Sequence, residues 1–134
     1  MDELKPGLKG ELKQLVTEKD TASRYGSGLV VAFATPALVA LMESASVAAI
    51  QKYLSVNQTS VGVEVNIRHL APTPVGMSVL AKAELLEVNG NRLSFKVEAW
   101  DDKEKVGEGT HLRAIIDAAR FAEKLKQKSS PHLS

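Results

Sequence analysis

Residues Thr35 to Leu54 read TPALVALMESASVAAIQKYL, and the fold turns on whether this run is one buried helix. A threonine directly before a proline suits a helix start: Thr35 can cap free backbone N–H groups, and Pro36 gives up no hydrogen bond at the first helical position. The residues beyond Pro36 have the length and types of a buried helix. At about 100° per residue, Val39, Val47, Ile50 and Leu54 fall within roughly 40° of Glu43, which sets a carboxylate in an apolar stripe. Lys52 lies opposite, but Leu41, Ala45 and Ala48 flank it, so the helix is apolar nearly all the way round and is wrapped by other structure. An ionised group taken out of water is costly unless compensated. Glu43 is therefore the first candidate for chemistry.

Working outward, Leu29 to Ala34 (LVVAFA) is an apolar approach to the helix, and the polar run from Glu18 to Ser27 before it reads as a loop placed to cover a site. Leu8 to Thr17 is ambiguous between helix and strand, and Gly10 tilts it towards strand. After the helix, Asn57 to Ser60 make a break. Val61 to Leu70 then alternate, with Val61, Val63, Val65, Ile67 and His69 on one face and Gly62, Glu64, Asn66 and Arg68 on the other. Ala71 to Gly76 (APTPVG) is a turn, and Met77 to Val88 a long strand. The pair Asn89-Gly90 favours a tight hairpin, since both residues tolerate positive φ. Arg92 to Trp100 returns with Leu93, Phe95, Val97 and Ala99 facing one way. Beyond the polar turn Asp101 to Lys105, the strand Val106 to Asp117 sets Val106, Leu112, Ala114 and Ile116 against Gly107, Gly109, His111 and Arg113. Ala118 to Lys128 has helical spacing, and residues 129–134 read as a frayed tail.

This order predicts one domain over residues 1–134, an α+β arrangement in which a long central helix is wrapped by a curled antiparallel sheet of about five strands. Such a sheet leaves an edge open to a partner. The 134 residues suffice for one core and are too few for two comfortable domains. With 17 basic against 16 acidic residues, the net charge of +1 gives no reason to expect nucleic acid or a membrane surface as partner. The absence of cysteine removes disulfides and thiolate metal sites. No leader-like or membrane-spanning stretch is seen, so a soluble cytoplasmic protein is expected.

Glu43 and His69 both stand on apolar faces of elements that must pack together. If they meet, carboxylate and imidazole can orient each other and move a proton; otherwise each is a satisfied core residue. On spacing alone, Thr35 is a helix cap, His111 and Arg113 are a solvated face, and Gly107 and Gly109 mark a kink or a close approach. The histidines are not spaced as a zinc set, and no dinucleotide, P-loop or nucleophile-elbow motif is present, so neither metal nor cofactor is expected.

Taken together, Ala34-Thr35-Pro36, Leu41-Met42-Glu43, the Gly62 to His69 strand, the APTPVG turn and Gly109-Thr110-His111-Leu112-Arg113 resemble the fluoroacetyl-CoA thioesterase-like branch of the hotdog-fold thioesterases. The resemblance runs from about Gly7 to the last helix. It implies a hotdog fold, a homodimer or higher homo-oligomer with active sites at the dimer interface, and acyl-CoA hydrolysis without metal or redox cofactor. It places the family's catalytic threonine, glutamate and histidine on Thr35, Glu43 and His69, its active-site glycine on Gly62, and the arginine near the thioester on Arg113. Ahead of the helix, SRYGSGLVVAFA is shorter and less aromatic than the matching segment of the fluoroacetyl-CoA enzyme, so a small or medium acyl group is the expected substrate. Phe33 in that segment either lines the acyl pocket or fills core beneath the helix start. A hotdog scaffold that binds acyl-CoA without turnover, or an enoyl-CoA hydratase, are the alternative functions.

Overall fold

The computed structural model describes residues 3–130. Strand β1 (Lys9–Leu15) is followed by a 3-10 turn at Glu18–Asp20, a one-turn helix α1 (Ala22–Tyr25) and the long helix α2 (Thr35–Ile50), which a 3-10 turn at Gln51–Tyr53 closes. Then come β2 (Gln58–His69), β3 (Ser78–Asn89), β4 (Arg92–Trp100), β5 (Lys105–Asp117) and α3 (Ala118–Lys128). The strands form one antiparallel sheet in the order β1-β3-β4-β5-β2, which curls round α2. This is the α+β hotdog arrangement. Among the described residues no helix is long and apolar enough to cross a membrane.

The ambiguous first segment is a strand, and Gly10 explains its position. A Cβ there would collide with the backbone of Ala45 and Ala49, so β1 lies directly on α2 where both sides are small. The buried side of α2 carries Leu38, Leu41, Met42, Ala45, Ala49 and Ile50. It packs in one core with Val79, Ala81 and Leu85 of β3 and Leu93, Phe95 and Val97 of β4, all fully buried. Each large side chain hidden there contributes about 1.5–3 kcal/mol. The stripe reading placed Glu43 at the centre of the apolar side, and the structure corrects this. It sits at its border with Val39 and Val47, its side chain 37% exposed.

The segment before α2 is tied down. Phe33 N donates to Thr73 O at 2.8 Å and Ala34 N to Asp20 O at 2.7 Å. Thr73, fully buried in the APTPVG turn, donates its hydroxyl to Asp101 Oδ2 at 2.9 Å, while Oδ1 accepts from the backbone of Lys103 and Glu104. Two turns and the polar loop thus fix the point where α2 begins. In the β3–β4 hairpin Asn89 pairs with Arg92, so the turn centre is Gly90-Asn91 and not Asn89-Gly90. Only Gly90 takes a positive φ, 64°. The expected break at 57–60 is shorter than read, since β2 starts at Gln58. Residues 131–134 of the expected tail lie outside the described residues.

Candidate active site

A single bulge organises the site. In the β2–β5 ladder Gly62 pairs with Arg113 and Glu64 with Leu112, leaving Val63 as an extra residue. One extra residue reverses the alternation of the strand. Directly paired residues share a face, so Gly62 lies with Arg113, while Val65, Ile67 and His69 lie with His111, Gly109 and Gly107. That common face is turned towards α2, because a Cβ at Gly107 would press on the side chains of Leu38 and Met42. Strict alternation had put Gly62 opposite His69; the bulge puts both on the helix side. His111 and Arg113, expected as solvated, are buried there at 4% and 6% exposure.

At one end of this face Arg113 Nη1 donates to Glu43 Oε2 at 3.2 Å and meets His111 Nε2 at 3.1 Å. Its Nε donates to Ser60 Oγ at 2.9 Å and Nη2 to Ser60 O at 3.0 Å. Burial pulls the Arg113 pKa down while Glu43 raises it, and the guanidinium stays a cation. A Cβ on Gly62 would collide with Glu43 Oε2, so the missing side chain is what lets the carboxylate rest beside Arg113. An open cleft of about 390 Å³ over Glu43 is lined by Ala40, Ser44, Val47 and Arg113.

At the other end Thr35 Oγ1 is 2.8 Å from His69 Nδ1. Thr35 is not the cap of α2: Ala34 takes that position, without a side-chain bond, and the threonine hydroxyl is turned to the ring. The other ring nitrogen, Nε2, is buried and has no hydrogen-bond partner among the described residues. Burial lowers the pKa of His69, so the ring is neutral near pH 7. Thr35 and His69 face a cleft of about 310 Å³ shared with Phe33, Val30, Ala32 and Leu70. Phe33 itself is 2% exposed and belongs to the core, so it fills the space beneath the helix start and also forms part of the cleft wall. Leu29, Val30 and Val31 are exposed above it.

The predicted Glu43–His69 pair does not form within one chain. Thr35 and Glu43 are about 12 Å apart along the axis of α2, and each end of the face keeps its own partners. Ser60 was not singled out by the sequence, and His111 was assigned there to a solvated face. The usable signal was the spacing His111-x-Arg113, which puts both side chains on one strand face beside Gly107 and Gly109, whose small size marks a tightly covered surface. On the outer face of the sheet a hollow is lined by Asn66, Arg68, Lys96, Glu98 and Glu108. Its charges are matched to one another through the Arg68–Glu108, Lys105–Glu108, Lys105–Glu98 and Lys96–Glu98 pairs, and it holds no comparable chemistry.

Residues 16–119 match the family model of the fluoroacetyl-CoA-specific thioesterase FlK. The chain belongs to that family. The matched span contains Phe33, Thr35, Glu43, Gly62, His69 and Arg113, and the chain is a thioesterase. Among curated relatives, the fluoroacetyl-CoA thioesterase of Streptantibioticus cattleyicolor is 43% identical over 97 residues, 72% of this chain and 70% of that protein. The solved structure of fluoroacetyl-CoA thioesterase FlK superposes with a TM-score of 0.90 at 35% identity, covering 96% of this chain and 100% of the other. A serine-for-threonine variant of FlK in complex with acetyl-CoA gives a TM-score of 0.90 at 34% identity over 95% and 100% of the two chains. For a member of this thioesterase family, the two polar clusters on one sheet face are the natural candidates for the reaction centre.

Proposed function

We propose that this thioesterase hydrolyses acyl-CoA thioesters with small or medium acyl groups, using Glu43, His69 and Thr35. The observation that carries the reading is the orphaned Nε2 of His69, whose ring is set by Thr35 at the edge of an open cleft. A buried polar atom without a partner costs about 1–3 kcal/mol, and a bound thioester supplies the partner. With the Thr35 hydroxyl donating to Nδ1, the neutral ring carries its proton on Nε2, where it can bond the thioester. Glu43, held by Arg113 through Oε2, serves as general base or as nucleophile. As base it takes a proton from water, whose oxygen bonds to the carbonyl carbon. The C–S bond then breaks, and the thiolate departs against the Nε2–H and takes up the proton held by Glu43. The start of α2 favours the negative charge that develops beside Thr35. The bound acetyl-CoA of the FlK variant supports a substrate of this class.

The reading includes a homodimer. Strand β2 is a sheet edge whose Val63 and Val65 are 46% and 41% exposed, an apolar edge that a second copy would cover. Antiparallel pairing of β2 with its own copy about a two-fold axis near mid-strand sets the Gly62 end of one copy against the His69 end of the other. Glu43 and Arg113 of one copy then complete a site with Thr35 and His69 of the second. Release of free thiol from a panel of acyl-CoAs tests the activity, with Glu43→Ala and His69→Ala expected to lose about 100-fold or more. Full activity in both variants would overturn the assignment.

A further inference from the structure

One buried titratable group, His111, has no part in the proposed mechanism. Its Nδ1 lies 2.8 Å from the backbone carbonyl of Glu64, the residue that comes after the bulge. A carbonyl oxygen only accepts, so Nδ1 carries the proton. In the neutral ring Nε2 is then a lone pair, and it faces Arg113 Nη1 at 3.1 Å, which only donates. The two bonds agree on one tautomer. Glu43 Oε2 is 3.7 Å from the same Nε2, too far for a hydrogen bond and not an ion pair while the ring is neutral. Burial is the main force keeping it neutral, Arg113 adds to it, and the Glu64 carbonyl and Glu43 oppose it.

We propose that His111 is a positioning residue, which through its Nε2 lone pair holds the Arg113 guanidinium in the one orientation that presents an N–H to Glu43. Nη1 carries two hydrogens. His111 accepts one, the other is left for Glu43 Oε2, and Ser60 holds the Nε and Nη2 edge. The fork is pinned on both sides and cannot swing away from the carboxylate. With Oε2 so held, Oε1 of Glu43 is the oxygen left for the reacting groups. The bulge at Val63 is the source of this arrangement, since it brings the Glu64 carbonyl over His111 and Gly62 under Glu43. The role of His111 in turnover rests on the reading of Glu43 as the catalytic carboxylate.

The test compares His111→Leu, which keeps bulk but removes the acceptor, with His111→Gln, whose amide oxygen reaches the place of Nε2. In His111→Leu, kcat on the preferred acyl-CoA falls by about 10–100-fold with KM within about threefold, because a misplaced catalytic group slows the step more than binding. His111→Gln recovers most of that loss. In an Arg113→Met background His111→Leu costs nothing further, since the effect passes through the guanidinium. Wild-type kcat in His111→Leu, or losses that add in the double variant, overturns the proposal. Nitrogen-15 NMR reads the same arrangement without turnover: slow rotation of the Arg113 guanidinium in the wild type and fast rotation in His111→Leu supports it, and equal rates in both overturn it. If the wild type releases thiol from no acyl-CoA, the hydrolase reading fails and the guanidinium rates still decide the positioning role.

Discussion

Thr35 Oγ1 lies 2.8 Å from His69 Nδ1, so this hydroxyl is committed to an imidazole and not to the end of its own helix. The two roles make opposite predictions for Thr35→Val. Loss of a cap would cost about 1 kcal/mol of stability and leave chemistry alone. Loss of the bond to His69 releases the ring and should lower thiol release by about 10–100-fold with the melting temperature nearly unchanged. Thr35→Ser, which keeps the hydroxyl, should stay close to wild type. A variant that melts early but turns over normally would return Thr35 to the cap.

Gly62→Ala probes the seat of Glu43. No positive φ is needed at this position, so the backbone accepts alanine without strain. The added methyl occupies the place of Glu43 Oε2 and pushes the carboxylate off Arg113. Folding should persist, because the displaced group is the end of a flexible, partly exposed side chain. The expected result is a kcat lower by about 100-fold with a normal melting curve. Unchanged turnover would mean that the contact with Arg113 does not matter to the reaction.

Acidification should destabilise the fold through two histidines. Burial lowers the pKa of His69 below the ordinary 6.5. His111 is lowered by burial and by Arg113, against the opposing Glu64 carbonyl and Glu43. Well above pH 6.5 both rings are neutral whether the chain is folded or not, and the full stability is present. As pH falls through that value, the unfolded chain takes up protons that the folded chain refuses, so stability drops until the folded pKa values are reached. The melting temperature should therefore decrease as pH falls through about 6.5, and His69→Gln and His111→Gln should each flatten the slope. A profile that neither substitution alters would assign the acid sensitivity to other groups.

Phe33→Ala joins core and cleft in one measurement. The ring is 2% exposed, so its removal should cost about 3–5 kcal/mol. It also walls the cleft beside Thr35 and His69, so the surviving folded enzyme should shift its preference towards longer acyl chains. Melting temperature and acyl-length profile, taken on the same preparation, read the two effects separately. An unchanged profile would leave Phe33 as core alone.

Periodicity registers only some of these relationships, and that limit decides how much was legible in the sequence. The β4 face of Leu93, Phe95, Val97 and Ala99 was read in full because one side is wholly buried and the other is not. Along β2 the same rule failed at Val63, since a bulge leaves no mark in the pattern and reverses every side chain beyond it. On β5 it failed because burial of His111 and Arg113 is compensated by hydrogen bonds, which hydrophobicity does not count. Glu43 and His69 were found as polar residues on apolar elements, but their partners Arg113 and Thr35 are set by three-dimensional register. The resemblance named those residues without saying which touches which.

Separation of the two clusters leads to a complementation experiment. Within one chain Glu43 keeps to Arg113 and His69 to Thr35, so a site that needs all of them must be assembled from two copies. Glu43→Ala and His69→Ala, each inactive alone, should then complement when mixed and refolded together. A mixed dimer contains one site with both groups intact and one with both removed. Random assortment makes half of the dimers mixed, so the mixture should recover about a quarter of wild-type activity. Sedimentation should show a species of twice the chain mass under the same conditions. No recovery from a mixture shown to exchange subunits would place the whole reaction within one chain, and a strictly monomeric protein with full activity would do the same.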